Sequence, residues 1–148
     1  MNKITITHLE TEEEIYVVLK YCAPYFHNQS YNDPDVIRKL SKKFYAYGNV
    51  IKATCEDNLL GFCAYYANDL EGHNAFLSMI IVVSSAQGSG VGKELLNKLI
   101  YDCRSKGMLH IRLEVADDNN RAIRFYEKNN FVFERKLSDT TCQYALDL

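Results

Sequence analysis

Apolar residues recur along this chain with two periods, one suited to strands and one to helices. Ile and Thr alternate over residues 3–8, the pattern of a first strand at a sheet edge. Thr11-Glu12-Glu13-Glu14 then has the form of a capping box, in which Thr11 accepts from the N–H three residues on and Glu14 reaches back. The helix it opens turns Ile15, Val18, Leu19 and Cys22 inward and stops at Pro24. After an aromatic and amide-rich loop at residues 25–31, Asn32 or Asp33 caps a second helix with Pro34 at its first position. That helix buries Val36, Ile37, Leu40 and Phe44 and ends at Gly48. Strand patterns at residues 50–56 and 59–68 flank a turn at Asp57-Asn58, and residues 69–72 turn the chain into a longer strand at 74–83.

The rest of the chain is organised around residues 76–106. Phe76-Leu77-Ser78-Met79-Ile80-Ile81-Val82-Val83 is an almost unbroken apolar run, as in a strand buried on both faces. Gln87-Gly88-Ser89-Gly90-Val91-Gly92-Lys93 follows within a few residues, and then a helix with Val91, Leu95, Leu96, Leu99, Ile100 and Cys103 on one face, ending before Gly107. A strand, a glycine-rich turn and a helix start together build an anion site. Glycine lets the main chain approach a ligand, and the unpaired N–H groups of the first helical turn point at negative charge. A phosphate-bearing ligand is therefore expected here; a glycine turn with no ligand is the plain alternative. The spacing excludes two common phosphate loops. A P-loop needs Ser or Thr after Gly-Lys and a leading Gly, where this chain has Glu94 and Gln87. The dinucleotide fingerprint needs Gly where Lys93 stands.

Residues 109–115 form another strand, joined to the preceding long one by the helix and so expected to lie parallel to it. Asp117-Asp118-Asn119-Asn120 is a turn and cap cluster before a short helix at 122–128, which Asn129-Asn130 ends. Residues 131–136 and 142–146 close the chain as a hairpin around Ser138-Asp139-Thr140. The fold class is α/β (α+β), with a mixed, twisted sheet of about seven strands and four helices in one domain over residues 1–148.

Composition narrows the setting. A chain with 47% hydrophobic and 24% charged residues is an ordinary globular protein. No apolar run approaches a membrane span, and Met1-Asn2-Lys3-Ile4-Thr5-Ile6 lacks the apolar core of a signal peptide, so a cytoplasmic protein without membrane contacts is expected. Cys22, Cys55, Cys63, Cys103 and Cys142 are odd in number and widely spaced, which suits reduced thiols rather than disulfides or a metal centre. The net charge of −2 argues against a nucleic-acid partner. From Gln87 onward ten basic residues face nine acidic ones, while Glu10 and Glu12–Glu14 make the N-terminus acidic, a weak bias that suits a polyanion in the second half.

Gln87, Gly90 and Gly92 complete the pattern Gln-x-x-Gly-x-Gly. It resembles the pyrophosphate-binding motif of the GNAT superfamily, the acetyl-CoA-dependent N-acetyltransferases. Asn119-Asn120-Arg121-Ala122-Ile123-Arg124-Phe125-Tyr126-Glu127-Lys128-Asn129-Asn130-Phe131 resembles that superfamily's other motif, N-x-x-A-I-x-F-Y-E-K-x-G-F. It departs at Asn130, where Gly is usual, and Ser84 stands where Pro often precedes the glycine loop. Asn tolerates positive φ better than other non-glycine residues, so the first departure is mild. The order of elements agrees from Lys3 to Leu146.

The resemblance implies a sheet split around acetyl-CoA as cosubstrate, and transfer of its acetyl group to a primary amine by direct attack in a ternary complex. Backbone groups of Ile80, Ile81 and Val82 would hold the pantetheine arm. Gln87, Gly88, Ser89, Gly90, Val91, Gly92 and Lys93 would bind pyrophosphate, and Asn119 would touch pantetheine or its partner loop. Tyr126 would protonate the departing thiolate, and Glu114 falls where several amine-acetylating members place a base. A small-molecule amine, a peptide N-terminus or a lysine would each fit as acceptor, and a homodimer is compatible with the reading. Two other classes stay open: a non-enzymatic acyl-CoA-binding or sensing domain, and an interaction module with a vestigial CoA site.

Elementary chemistry supports these roles. Aminolysis of a thioester needs a neutral amine, a stabilised oxyanion and a proton for the sulfur. A carboxylate at the end of a central parallel strand lies at the crevice of an open α/β sheet, where desolvation would tune it towards a base. Each residue also has a plainer reading. Tyr126 could be core packing, and Glu114 could pair with Arg112, Arg121 or Arg124. His27, His73 and His110 read as surface or packing residues. Tyr25, Phe26, Tyr31 and Tyr65 could line an acceptor pocket or extend the core.

Overall fold

The computed structural model describes residues 3–148; Met1 and Asn2, part of the stretch read for a signal segment, lie outside the described residues. The strands are β1 (Thr5–His8), β2 (Asn49–Cys55), β3 (Asn58–Tyr66), β4 (Asn74–Val82), β5 (His110–Ala116), β6 (Val132–Lys136) and β7 (Thr141–Asp147). They form one sheet in the order β1-β2-β3-β4-β5-β7-β6, antiparallel except where β4 meets β5. The helices are α1 (Glu12–Cys22), α2 (Pro34–Tyr47), α3 (Val91–Ser105) and α4 (Asn120–Lys128). This is the mixed seven-stranded sheet with four α-helices that the pattern predicts.

Local signals hold where they have a mechanism. Thr11 Oγ1 accepts from the Glu14 N–H at 3.1 Å while Glu14 accepts from the Thr11 N–H at 3.1 Å. Such a cap contributes about 1 kcal/mol to helix stability. Asp33 caps α2 by accepting from the N–H groups of Asp35 and Val36. Leu95, Leu96 and Leu99 are fully buried and seat α3 on the sheet, each contributing roughly 1.5–3 kcal/mol relative to exposure. The first hairpin turns one residue earlier than the pattern suggests. Cys55 pairs with Asn58, leaving Glu56 and Asp57 as the corner residues at φ 51° and 66°. Positive φ at both corners is the mark of a type I′ turn, and the buried register of β2 on β3 imposes it on Glu56.

The long apolar strand departs from expectation in the way that matters most. It is not buried on both faces: every residue from Ser78 to Val82 is only half-buried. β4 and β5 pair in parallel from Asn74–His110 to Leu77–Leu113, and there the pairing stops although both strands run on. On its other side, β4 pairs Leu77 with Tyr65 and Met79 with Ala64, so Ser78 is an extra residue, a β-bulge. A bulge bends its strand. Beyond it β4 stays with β3, leaves β5, and opens a gap in the sheet.

Candidate active site

The gap exposes one edge of β4, and the register decides which groups line it. Ile81 pairs with Phe62, and the Val83 N–H donates to the Leu60 carbonyl at 2.9 Å. In an antiparallel ladder the backbone groups alternate in direction, so the N–H and C=O of Ile81 face β3. Those of Ile80 and Val82 face the gap. The expected backbone trio of Ile80, Ile81 and Val82 is thus narrowed to two residues by the period of the strand. Gln87 Nε2 donates to the Val82 carbonyl at 3.0 Å, which ties the glycine loop to the strand end. Both backbone groups of Ile80 and the Val82 N–H remain open along the edge among the described residues.

A single 3₁₀ turn, Ser84–Ala86, leads from β4 into the loop. Gly88 and Gly90 adopt φ 82° and 90°, and a Cβ built on either would meet nothing within 4 Å. The backbone demands glycine there, and the space above it is open. Gly90 caps α3 without any side-chain hydrogen bond. The first intrahelical bond runs from the Glu94 N–H to the Gly90 carbonyl at 3.0 Å. The N–H groups of Val91, Gly92 and Lys93 therefore have no partner among the described residues, and the helix dipole adds positive potential at the same point. The Ser89 hydroxyl donates to the Ala86 carbonyl, so within this loop it braces the turn. Gly92 serves another purpose: a Cβ there would stand 3.1 Å from the Phe125 ring. The Lys93 ammonium donates to Asn129 Oδ1 at 2.6 Å.

Tyr126 lies on α4 with 8% of its surface exposed, its ring 5.7 Å from those of both Phe125 and Phe131. Its hydroxyl makes no hydrogen bond to another described residue. Burial, and then the nearby Cys63 thiol, push its pKa well above the ordinary phenol value, so it holds its proton at neutral pH. Asn119 caps α4, its side-chain oxygen accepting from the Ala122 N–H at 3.3 Å. Glu114 sits on β5 opposite Gln143. It is exposed rather than desolvated, because β5 has lost β4 as a neighbour at that point. It forms no ion pair with Arg112, Arg121 or Arg124 among the described residues; Arg112 instead donates to Glu134 at 2.9 Å.

At the C-terminal end of β5 lies a cleft of about 510 Å³, lined by His27, Asn28, Asp117, Asp118, Asp139 and Thr140 among others. His27 Nε2 stands 3.0 Å from Asp118 Oδ1. Asp117 accepts from the Cys142 thiol at 2.7 Å and pairs with Lys136 at 2.6 Å. The thiol first, then the ammonium, hold the Asp117 carboxyl below the usual carboxylate range. The Asp139 side chain has no partner among the described residues. Sequence reading assigned Asp117-Asp118 to a turn and His27 to the surface. No spacing rule connects residues that lie 91 positions apart. Of the four aromatics left open, Phe26 packs edge-on against Phe62 and Tyr65 is core; Tyr25 and Tyr31 are exposed.

Comparison with known proteins agrees with this geometry. The model of the Acetyltransferase (GNAT) family matches residues 7–131. The spermine/spermidine N(1)-acetyltransferase of Bacillus subtilis (strain 168) is 30% identical over 93 residues, covering 55% of this chain and 58% of that protein. The match therefore spans little more than half of that relative. An acetyltransferase from Thermus thermophilus superposes with a TM-score of 0.83 at 15% identity, covering 100% of both chains. The PaiA N-acetyltransferase of Thermoplasma acidophilum, solved in complex with coenzyme A, does so with a TM-score of 0.78 at 17% identity, covering 97% of this chain and 99% of that one. With its split sheet, its glycine loop and a family match over most of its length, the chain belongs to the Acetyltransferase (GNAT) family.

Proposed function

We propose that this protein transfers the acetyl group of acetyl-CoA to a primary amine, by direct attack within a ternary complex. The observation that carries the reading is the parting of β4 from β5 at Ser78, with open backbone donors on one strand and a protonated, buried Tyr126 at hand. The residues present fit the cosubstrate. Two left-handed glycines under open space and three unpaired helix N–H groups suit a pyrophosphate, and the half-buried apolar edge of β4 suits a pantetheine arm.

Acetyl-CoA supplies an acyl group on a thiol that becomes a good leaving group once protonated. The chain's own groups do the rest. The N–H groups of Ile80 and Val82 are the available donors for the carbonyl oxygen as it gains charge. Tyr126 gives its proton to the sulfur; a buried phenol can do this without competing as a nucleophile. Glu114 takes a proton from the incoming ammonium, directly or through water, from the opposite lip of the gap. Gln87 holds the loop against Val82, and Asn119 sets the start of α4.

The acceptor enters by the acidic cleft. Asp117 is offset by Lys136, and Asp118 is offset only when His27 is protonated; the Asp139 carboxylate forms no ion pair among the described residues, the Lys136 ammonium reaching only its main-chain carbonyl. At neutral pH the cleft is net negative, which favours an acceptor with a second positive charge, such as a polyamine. The likeness to a spermine/spermidine acetyltransferase points the same way. The test is calorimetry with CoA, followed by thiol release from acetyl-CoA across polyamines, monoamines, amino sugars and peptides. Turnover with an amine supports the enzyme. CoA binding without turnover on any amine would leave a sensing domain, and no CoA binding would leave an interaction module.

A further inference from the structure

Lys93 belongs by sequence to the phosphate loop, yet its side chain is engaged elsewhere. Its ammonium donates to Asn129 Oδ1 at 2.6 Å, and Asn129, only 7% exposed, donates from Nδ2 to the Phe125 carbonyl at 2.8 Å. One residue earlier, Gly92 is bare against the Phe125 ring, close enough that an added Cβ would stand 3.1 Å away. Two successive residues of the first turn of α3 thus grip the last turn of α4. The gripped residues, Phe125 and Asn129, bracket Tyr126 in the chain. The ammonium also sits at the C-terminal end of α4, where the helix dipole favours positive charge.

We infer that Lys93 and Asn129 are positioning residues: they lock the helix that carries Tyr126 to the helix start that carries the pyrophosphate site. In this joint Lys93 is divided, its backbone N–H serving the anion and its side chain serving α4. The distance from pyrophosphate to thioester is set by the cosubstrate, so the distance from α3 to Tyr126 must match it. A rigid joint supplies that match, and small misplacements of a catalytic group cost rate far more than affinity. The inference rests on the acetyl-transfer reading above.

Lys93→Met and Asn129→Ala test it by steady-state kinetics, with CoA calorimetry on each variant. Lys93 is exposed, so its replacement leaves the core untouched, and thermal melts confirm folding of both proteins. Each variant should lower kcat about tenfold while leaving KM for acetyl-CoA and Kd for CoA within about twofold. The double variant should lose no more than Asn129→Ala alone, because that substitution already removes the Lys93 contact together with the bond to the Phe125 carbonyl. Lys93→Arg, which keeps a donor, should recover most of the rate. In a Tyr126→Phe background Lys93→Met should have almost no further effect. A rise in Kd with kcat unchanged would make Lys93 a phosphate ligand and overturn the inference. Unchanged kcat in both variants, or losses that multiply on top of Tyr126→Phe, would overturn it as well. Failure of the wild-type protein to bind CoA or turn over would instead strike the underlying reading, and the two failures are distinguishable.

Discussion

The two ends of the gap in the sheet are built from different materials. At the proposed cosubstrate end, the groups on offer are the main-chain N–H groups of Val91, Gly92 and Lys93, beside glycines at positive φ. Side chains there mostly brace the loop: Gln87 on the Val82 carbonyl, Ser89 on Ala86, Lys93 on Asn129. At the proposed acceptor end, the cleft is lined by side chains of three separate loops, His27 and Asn28, Asp117 and Asp118, Asp139 and Thr140. A backbone site demands particular residues at particular steps, because only glycine occupies the left-handed region without strain. A side-chain site demands only that suitable groups meet in space. The first kind leaves a motif in the sequence, and the second kind leaves none.

Tyr126 is the proposed proton donor, and loss of its hydroxyl should produce the largest effect. Tyr126→Phe keeps the ring between Phe125 and Phe131 but removes the proton donor. General acid catalysis is typically worth ~10²–10⁴-fold, so kcat should fall by about that factor while KM for acetyl-CoA moves little. Because burial raises the phenol's pKa, loss of this acid should not shape the wild-type rate below pH of about 10. A fall in kcat at lower pH that disappears in Tyr126→Phe would contradict the assignment.

Breaking the backbone end is next in size. Gly90→Val puts a branched side chain into the open space over the loop, at a φ of 90° that it tolerates poorly. Losing about two charge-assisted hydrogen bonds, each worth roughly 1.5–3 kcal/mol, should weaken CoA binding on the order of 10²-fold or more. Calorimetry showing unchanged affinity in a folded Gly90→Val protein would remove the pyrophosphate site from this loop.

Glu114→Gln probes the opposite lip. Glu114 is exposed, so water can share its task, and a loss of roughly tenfold in kcat is expected, with CoA affinity unchanged. Glu114→Asp, which keeps a carboxylate, should retain more of the rate than Glu114→Gln. An unchanged kcat in Glu114→Gln would assign the proton transfer to water or to another group.

The acceptor end should respond in smaller steps. Asp118→Asn and Asp139→Asn each remove an exposed charge, and such pairs contribute about 0.2–1 kcal/mol. KM for a polyamine should rise by about two- to fivefold per substitution, and KM for an uncharged-tail monoamine should not move. Equal effects on both acceptors would deny the cleft any role in selecting charge.

Tyr65→Phe is a control away from both ends. The Tyr65 hydroxyl donates to Asp102 at 2.6 Å, and Asp102 also meets His8 and Lys98. Burial works against this carboxylate. The hydrogen bonds from Tyr65 and Lys98 and the charges of Lys98 and His8 outweigh that and hold its pKa low. A depressed carboxyl stabilises the fold above its unfolded value of about 3.9, and the contribution is lost as pH falls through the folded value. Denaturation of Tyr65→Phe should therefore show a loss of about 1–2 kcal/mol at neutral pH that shrinks in acid. A loss that stayed constant to low pH would mean the hydroxyl acts by packing alone.

The sequence by itself determined the elements and the backbone conformation of the glycine loop. Thr11 and Asp33 announced helix starts through hydrogen bonds to residues two or three places on, and Asn130 takes the φ of 73° expected of a residue in a glycine position. These signals are local, so the chain carries them in its order. Tertiary structure alone decided the rest. Ser78, the one polar residue of the run 76–83, sits at the bulge, but a lone serine in a strand pattern does not announce that β4 there stays with β3 and leaves β5. The exposure of Glu114 follows from that parting. The direction of the Lys93 side chain and the meeting of His27 with Asp118 depend on packing between elements far apart in the chain. Backbone conformation is a property of neighbours in sequence, whereas a side-chain constellation is a property of neighbours in space.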